Sequence, residues 1–452
     1  MTTWWCEHAL VGAELRHRVT ITGSDSSAGA AAGATIAAVE AETSQPPGAV
    51  RLPGLTLPGF ANGHGHAFHR ALRSRVQAER GTFWTWRDTM YEVASQLTPE
   101  RYHRLARAVF AEMAMSGIAA VGEFHYVHHQ PDGTPYDDPN EMGLALIAAA
   151  AEVGIRLTLL DTIYLHRGIT DADRGVVGVQ RRFSDGSAER WVERVDRLTG
   201  SDHVRHGAAI HSVRAADPDA MAVVAQWADR NNAPLHAHVS EQRAENDQCR
   251  ERYGCTPTAL LESAGALGPN FTAVHATHLT DDDIQRLGRH RCSVCLCPTT
   301  ERDLGDGIGP STEVTAAGVT LCIGSDSHAI IDQMVEARAV ELDERLRSEQ
   351  RGLHAAGELM AMATVSGHHS LGWQDAGVIA EGCRADLVTI DLQSVRMAGV
   401  ADDVLIEAAV FASTTTDITS VVVGGRQIVA DGRHVALDAS AELTAAITEL
   451  YR

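Results

Sequence analysis

Histidine pairs with one intervening residue occur beside two apolar runs of this sequence. His64 and His66 follow LPGFANG, and His236 and His238 lie in PLHAHVSE. Residues i and i+2 of a β-strand lie on the same face, so both imidazoles of a pair can reach one metal ion. Either member of the second pair is a candidate ligand, and the spacing to Glu241 favours His238.

Acidic residues and further histidines follow other apolar runs. Glu241 stands three residues after His238, where a carboxylate can move protons between water and a substrate. His275 ends the run FTAVH with His278 just beyond it, and Asp326 follows VTLCIGS. Each motif is weak evidence by itself, but their order along the chain indicates a metal-dependent hydrolase.

The donor types predict one metal ion. Three imidazoles and a carboxylate suit Zn²⁺ with a free coordination position for water. Zn²⁺ lowers the pKa of a bound water to about 7. Fe²⁺ and Mn²⁺ are the alternative ions. All 38 basic residues are arginines, so no carbamylated lysine can bridge two ions. The absence of lysine also disfavours enzymes that depend on a Schiff-base or phosphate-loop lysine.

The pattern of apolar and polar residues along the chain predicts the strands and helices that position these residues. Between residues 58 and 375, short apolar runs alternate with amphipathic, alanine-rich segments, which is typical of βα units around a parallel sheet. We therefore predict an α/β protein with a (β/α)₈ TIM barrel and chemistry at the carboxyl ends of its strands. Residues 1–57 and 376–452 are β-rich, and we expect them to pair into a small flanking β-sandwich domain, with VVVGGRQIV as a hairpin.

Composition narrows the classes of partner and compartment. A net charge of −21 disfavours nucleic acids and anionic membranes, and no apolar run reaches the length of a transmembrane helix. We see no signal peptide, and eight cysteines without a disulfide framework indicate a reducing cytoplasm. Cys292, Cys295 and Cys297 in RCSVCLCP are expected on a buried strand rather than in a zinc or redox site.

The motif order resembles the amidohydrolase superfamily of metal-dependent deaminases and hydrolases. The resemblance rests on PGFANGHGH, the His-x-x-Glu spacing, the strand-end histidine, SDS and the late ADLVTID, and it spans essentially the whole chain. The strings HAFHRAL, FWTWRDTMY, EFHYVHH, IHSVRA and CLCPTTERDLGDG are similar to the branch that hydrolyses formimino groups. This resemblance implies hydrolysis of N-formimino-L-glutamate to N-formyl-L-glutamate and ammonia in histidine degradation. The alternatives are another deaminase, acting on a purine, pterin or adenosyl compound, and a zinc-binding protein without catalytic activity.

The resemblance also implies roles for particular residues. The metal ligands are His64, His66, His238 and Asp326; the proton-transferring residues are Glu241 and His275, with Asp326 also taking a proton from water; the substrate contacts are Arg87, Tyr126, His211 and Arg214. His69 stands where members of the branch carry glutamine, and we expect it to contact the substrate in that place. A dicarboxylate substrate needs local cations in so acidic a protein, and arginine binds carboxylates in a bidentate manner. A homodimer is implied as well.

Three neighbouring histidines allow two interpretations. His125, His128 and His129 crowd EFHYVHH, either at the active site or in hydrogen-bonded packing at a strand end. Glu123 could pair with an arginine or orient a ligand histidine. The aromatic residues of FWTWRDTMY are expected in the core or in a lid over the substrate.

Overall fold

The structure is a computed structural model that describes residues 2–24, 33–77, 83–170, 172 and 174–452. The side chains of Phe83 and Trp84, which belong to the predicted core or lid segment, lie outside this description. So do residues 25–32, within a small-residue stretch for which the sequence predicts a loop or turn.

The described strands and helices alternate through the middle of the chain. The strands are β1 (Thr3–Val11), β2 (Glu14–Gly23), β3 (Ile36–Glu40), β4 (Val50–Pro58), β5 (Phe60–Gly65), β6 (Ile118–His125), β7 (Arg156–Ile163), β8 (Val204–Ile210), β9 (Leu235–Val239), β10 (Phe271–His275), β11 (Ser293–Leu296), β12 (Thr320–Ile323), β13 (Leu387–Ile390), β14 (Ile418–Val423), β15 (Arg426–Ala430) and β16 (Arg433–His434). The α-helices are α1 (Phe83–Gln96), α2 (Pro99–Met115), α3 (Glu141–Val153), α4 (Ala188–Val195), α5 (Pro218–Arg230), α6 (Arg243–Tyr253), α7 (Pro257–Ser263), α8 (Asp281–Arg289), α9 (Pro298–Leu304), α10 (Ser311–Ala316), α11 (Gln333–Ser348), α12 (Ala356–Ala363), α13 (Val365–Ser370), α14 (Leu405–Phe411) and α15 (Ala439–Leu450). Short 3₁₀ helices cover Ala67–Leu72, Gly178–Phe183, Asp402–Val404 and Thr415–Asp417.

Strands β5 to β12 pair in chain order, and every pairing is parallel. The two ends of this sheet meet where the amide of Asp326 donates to the carbonyl of His64 at 3.1 Å and the amide of His66 donates to the carbonyl of Asp326 at 3.2 Å. Gly324 allows this approach, because a Cβ there would lie 2.7 Å from the carbonyl oxygen of His64. The predicted barrel is confirmed, and its closure joins two segments that carry candidate ligands.

A second sheet combines both ends of the chain. Its strand order is β16-β15-β14-β13-β4-β1-β2-β3, with β1 and β4 parallel and the other neighbours antiparallel. The predicted hairpin is present, and Gly424 and Gly425 at its turn have φ of 56° and 79°, which glycine tolerates best. The flanking domain predicted from both chain ends is therefore confirmed as one continuous eight-stranded sheet; the division at residues 57 and 375 stays a prediction.

The cysteine-rich run forms part of the barrel core. Cys292, Cys295 and Cys297 are fully buried on or beside β11, as predicted for a buried strand. All eight cysteines of the chain have free thiols. Among the described residues, no helix is both long enough and apolar enough to cross a bilayer.

Candidate active site

The first histidine pair lies at the carboxyl end of β5, with Gly65 between its members. A Cβ on Gly65 would lie 2.8 Å from the ring of His328 and 3.3 Å from the amide nitrogen of Asn62. Glycine therefore lets β5 pack against the loop after β12 while His64 and His66 keep the spacing of one strand face.

The rings of two candidate ligands are oriented by backbone carbonyls. Nδ1–H of His66 donates to the carbonyl of Phe124 at 2.9 Å, and Nδ1–H of His238 donates to the carbonyl of His211 at 2.9 Å. Since a neutral imidazole carries one proton, Nε2 of each ring is left with a lone pair. Such hydrogen bonds are the usual partners of metal-binding histidines.

Four buried donor atoms converge at this point, and we call His64, His66, His238 and Asp326 the metal-donor cluster. Nε2 of His238 lies 3.2 Å from Nε2 of His64. Oδ1 of Asp326 lies 3.3 Å from Nε2 of His64 and 3.4 Å from Nε2 of His66. Ligand atoms bound at 2.0–2.1 Å to one ion, at angles of about 90–120° that leave a position for water, would lie about 2.9–3.6 Å apart. The observed separations fall within that range.

The charges of the metal-donor cluster also favour a cation. Burial, with the neighbouring His64, lowers the pKa of His66 to about 3, so the imidazole is neutral at pH 7. Unprotonated nitrogens and a carboxylate oxygen facing one another repel unless a positive charge lies between them. The cluster therefore suits a divalent metal ion. His236 lies elsewhere, with Nε2 hydrogen-bonded to the carbonyl of Ser370 at 2.9 Å.

Left-handed backbone conformations occur beside three of the barrel strands at this site. Ser240, His275 and Asp326 have φ of 51°, 66° and 40°. Such a conformation costs a residue other than glycine about 1–3 kcal/mol, and it is found most often at functional sites.

His275 lies between three carboxylates. Its Nδ1 is 3.3 Å from Oε1 of Glu301, and its Nε2 is 3.9 Å from Oδ2 of Asp326 and 4.0 Å from Oε1 of Glu241. Burial by itself would lower the pKa of His275, but the hydrogen bond to Glu301 and the nearby carboxylates raise it to about 10. Sequence reasoning did not assign Glu301 a role, although it lies in CLCPTTERDLGDG.

Arg214 is held by two glutamates at the edge of the site. Its Nη2 donates to Oε2 of Glu241 at 3.0 Å, and its Nε lies 3.2 Å from Oε2 of Glu245. Glu245 also accepts a hydrogen bond from the amide of Ser240. Burial raises the pKa of Glu245 to about 7, although Arg214 opposes the shift. The sequence signal for Glu245 was its position one helical turn after Glu241, and sequence reasoning missed it.

The predicted site residues surround one cavity of about 570 Å³. The predicted residues that line it are His66, His69, Arg87, Tyr126, His211, Arg214, His238, Glu241, His275 and Asp326. His64 is completely buried at the metal-donor cluster. His69 lies beside the ligands, with Nε2 at 2.9 Å from the hydroxyl of Tyr126 and its ring 4.4 Å from that of His66.

Other lining residues were not predicted as substrate contacts. They include Trp86, Met90, Tyr91, Tyr164, Gln180 and Phe183. Helix α1 thus contributes side chains of the FWTWRDTMY segment to the cavity wall.

Glu123 contacts the segment that carries two candidate ligands. Its carboxylate accepts hydrogen bonds from the amide of Ala67, the residue after His66, at 2.8 and 3.0 Å, and from the hydroxyl of Tyr102 at 3.3 Å. Burial raises its pKa to about 8. Of the two predicted roles, this contact resembles orientation of a ligand histidine, exerted through the backbone.

The histidines of EFHYVHH belong to a different group of buried charges. We call it the arginine cluster, and it comprises His125, His128, His129, Asp161, Asp185 and Arg194. None of these six residues is among those that line the cavity. Of the two interpretations of these histidines, the structure favours packing at a strand end.

Comparison with known proteins supplies the family context. The model of the amidohydrolase family matches residues 55–428. A formimidoylglutamate deiminase from Pseudomonas aeruginosa is 38% identical over 409 residues, which cover 87% of this chain and 89% of the relative. An 8-oxoguanine deaminase from the same organism is 29% identical and covers 86% of this chain and 85% of its own.

A solved structure resembles the whole fold. The crystal structure of an amidohydrolase from Brucella melitensis superposes with a TM-score of 0.90 at 31% identity, covering 100% of both chains. The similarity therefore includes the flanking sheet as well as the barrel.

Proposed function

The chain belongs to the amidohydrolase family and is a hydrolase that acts on C–N bonds, and we propose that it converts N-formimino-L-glutamate and water into N-formyl-L-glutamate and ammonia. The observation that carries this proposal is the combination, in one cavity, of the metal-donor cluster with two arginines, Arg87 and Arg214. The 38% identity to a formimidoylglutamate deiminase supports the same substrate.

We propose a single Zn²⁺ held by His64, His66, His238 and Asp326. The support is the set of three imidazole nitrogens and one carboxylate oxygen at separations that suit bonds of about 2 Å to one ion, together with a chain that has no lysine to bridge two ions. When bound, the ion would supply Lewis-acid activation of water and of the formimino group.

We assign proton transfer to Asp326 and Glu241, and stabilisation of charge to His275. Asp326 presents Oδ1 to the ligand nitrogens and Oδ2 to His275, so it can accept a proton from the attacking water. Glu241 lines the cavity beside Arg214 and would deliver a proton to the nitrogen that leaves as ammonia. His275, cationic because of its three carboxylate neighbours, would stabilise negative charge that develops on the heteroatoms bonded to the reacting carbon.

Five lining residues of the cavity would orient the substrate. Arg87 on α1 and Arg214 after β8 would supply guanidinium donors for the two carboxylates, and Tyr126, His211 and His69 would supply neutral polar groups. Fixing both carboxylates would hold the formimino carbon beside the proton-transfer groups.

A second candidate function is deamination of a heteroaromatic substrate. The aromatic lining residues Trp86, Tyr91 and Phe183 favour it, since they offer surfaces for stacking. A neutral nucleobase, however, has no carboxylate to accept hydrogen bonds from the guanidinium groups of Arg87 and Arg214, which both line the cavity.

Steady-state ammonia release tests the proposal. We expect zinc-loaded protein to turn over N-formimino-L-glutamate far faster than N-formimino-L-aspartate, guanine or 8-oxoguanine, and chelated protein to be inactive. Glu241→Gln should lower kcat by a factor of about 10²–10⁴, the range of a lost general acid or base, with metal content unchanged. Glu251→Gln, an exposed glutamate on α6, is the matched control. If neither the zinc-loaded nor the chelated protein turned over N-formimino-L-glutamate, the proposal would be contradicted.

We also propose a cytoplasmic homodimer. The free thiols of all eight cysteines support a reducing compartment, and the dimer follows from resemblance to the superfamily. Light scattering at micromolar concentration tests the dimer. We expect a dimeric mass, and a monomeric mass would contradict the proposal.

A further inference from the structure

A glutamine joins two tyrosines in the wall of the cavity. Nε2 of Gln180 donates to the hydroxyl of Tyr91 at 3.0 Å and to the hydroxyl of Tyr164 at 2.9 Å. Gln180 and Tyr164 are 4% and 7% exposed, and all three residues line the cavity. None of them takes part in the chemistry proposed above.

The two tyrosine hydroxyls act as hydrogen-bond acceptors toward Gln180. An amide nitrogen has two N–H groups, and both are used here. Each tyrosine oxygen therefore accepts one bond and keeps its own O–H for another partner. The two hydroxyls also lie within hydrogen-bonding reach of each other. A carboxylate is a stronger acceptor than a neutral hydroxyl, so both O–H groups can turn toward a dicarboxylate bound in the cavity.

Each tyrosine lies beside one of the two arginines. Arg87 lies over the ring of Tyr91, with 5.5 Å from its guanidinium carbon to the ring centre. Tyr164 and Arg214 immediately precede two residues that are hydrogen-bonded through the backbone, since the amide of Leu165 donates to the carbonyl of Ala215 at 2.7 Å, and both side chains line the cavity. The wall therefore offers two pairs of donors, each made of an arginine and a tyrosine, with Gln180 between them.

The two pairs lie at different distances from the reacting groups. Arg214 contacts Glu241 directly, at 3.0 Å. In N-formimino-L-glutamate the α-carboxylate is three bonds from the formimino carbon and the γ-carboxylate is five. The pair of Arg214 and Tyr164 therefore suits the α-carboxylate, and the pair of Arg87 and Tyr91 suits the γ-carboxylate.

We propose that Gln180 is a positioning residue that directs the hydroxyls of Tyr164 and Tyr91 toward the α- and γ-carboxylates, and that it thereby selects the chain length between them. Both hydroxyls lie within 3.0 Å of one nitrogen, so they are no more than about 6 Å apart. Gln180 therefore connects the two proposed carboxylate subsites, because it hydrogen-bonds to one tyrosine of each. The inference rests on the proposed function, since it assigns the substrate of that same cavity.

Truncated substrates test the assignment. N-formimino-γ-aminobutyrate lacks the α-carboxylate, and N-formimino-α-aminobutyrate lacks the γ-carboxylate. Tyr164→Phe should lower kcat/KM about tenfold for substrates that carry the α-carboxylate and leave N-formimino-γ-aminobutyrate unaffected, since a hydrogen bond to a charged group is worth about that factor. Tyr91→Phe should show the reverse pattern, with N-formimino-α-aminobutyrate unaffected.

Gln180→Glu keeps the shape of the side chain but makes it an acceptor for both hydroxyls. We expect a loss of tenfold or more on the full substrate, losses on both truncated substrates, and a reduced preference for N-formimino-L-glutamate over N-formimino-L-aspartate. Tyr253→Phe, a tyrosine on α6 that does not line the cavity, is the control. A merely structural role predicts one common factor for every substrate, and that result would overturn the proposal.

A binding measurement separates this inference from the proposed function. The dissociation constant of N-formyl-L-glutamate, measured by calorimetry on the same zinc-loaded variants, should rise about tenfold in Tyr164→Phe and Tyr91→Phe. Wild-type protein that binds this ligand without turning over the formimino substrate would refute the proposed reaction and leave the subsite assignment supported. Normal turnover with equal losses on all substrates would refute the assignment alone, and absence of both binding and turnover would refute both.

Discussion

The metal-donor cluster and the arginine cluster are both buried groups of histidine and aspartate, and both lie around the carboxyl ends of barrel strands. In the arginine cluster, Arg194 donates to both oxygens of Asp161 at 2.7 Å and to Asp185 at 2.8 and 2.9 Å. Nε2 of His129 lies 3.0 Å from Oδ1 of Asp185, and Nε2 of His128 lies 2.9 Å from the carbonyl oxygen of Thr162. The carboxylates of this cluster are thus satisfied by a cation that the chain itself provides.

In the metal-donor cluster the charged neighbour is the imidazole of His275, whose Nε2 lies 3.9 Å from Oδ2 of Asp326, the carboxylate oxygen that faces away from the ligand nitrogens. The ligand nitrogens and Oδ1 of Asp326 face one another at 3.2–3.4 Å. Both clusters contain histidine and aspartate, so what distinguishes the arginine cluster from the proposed metal site is the arginine that neutralises its carboxylates. The predictions below test that distinction.

Removing a ligand atom should have the largest effect. His238→Asn keeps a donor near the position of Nδ1, which bonds to the carbonyl of His211, and deletes Nε2. We expect metal content to fall and kcat/KM to drop by a factor on the order of 10³ or more, since Lewis-acid activation is lost. Elemental analysis and ammonia release measure both. Full metal content in this variant would remove His238 from the ligand set.

Removing the internal cation should affect stability rather than chemistry. Arg194→Met leaves Asp161 and Asp185 buried without their partner, which typically destabilises a protein by about 3–5 kcal/mol. Denaturant unfolding of metal-loaded protein measures the loss. Metal content and kcat of the folded fraction should match wild type, and loss of metal would show that the two clusters are not independent.

A conservative change beside His275 should have an intermediate effect. Glu301→Gln keeps an oxygen for the amide of Cys297 but removes the charge that raises the pKa of His275. We expect kcat to fall about 10–100-fold, as for other residues that orient catalytic groups, with metal content unchanged. A kcat equal to that of wild type across the pH range would show that His275 does not need its cationic form.

The smallest effect concerns pH. Burial and the nearby Arg194 lower the pKa of His128 to about 4, against about 6.5 in an unfolded chain. Unfolding therefore takes up a proton between these values, so the contribution of His128 is complete above pH 6.5 and is lost as the pH falls toward 4. His128→Gln can retain the bond to Thr162 and should flatten the decline by up to about 1.4 kcal/mol per pH unit. An identical decline in variant and wild type would refute the assigned shift.

Much of the arrangement could be predicted because parallel barrels place strand ends together. The apolar runs before His66, His238, His275 and Asp326 identify strands, and a closed barrel brings their carboxyl ends to one face. Pairings distant in sequence were not visible in the same way. Glu301 contacts His275, 26 residues away in sequence, and Gln180 contacts Tyr91, 89 residues away. No periodic pattern in the sequence predicts either contact.

The sequence by itself determined the donor types, their order and the lack of any lysine, because these depend only on residue identity and local spacing. It left open whether His236 or His238 is a ligand and whether the histidines of EFHYVHH belong to the site. Only the tertiary structure showed that His238, and not His236, lines the cavity, and that His125, His128 and His129 do not line it. The direction of an imidazole depends on which carbonyl its second nitrogen meets, and the charge of a cluster depends on whether an arginine from another helix reaches it.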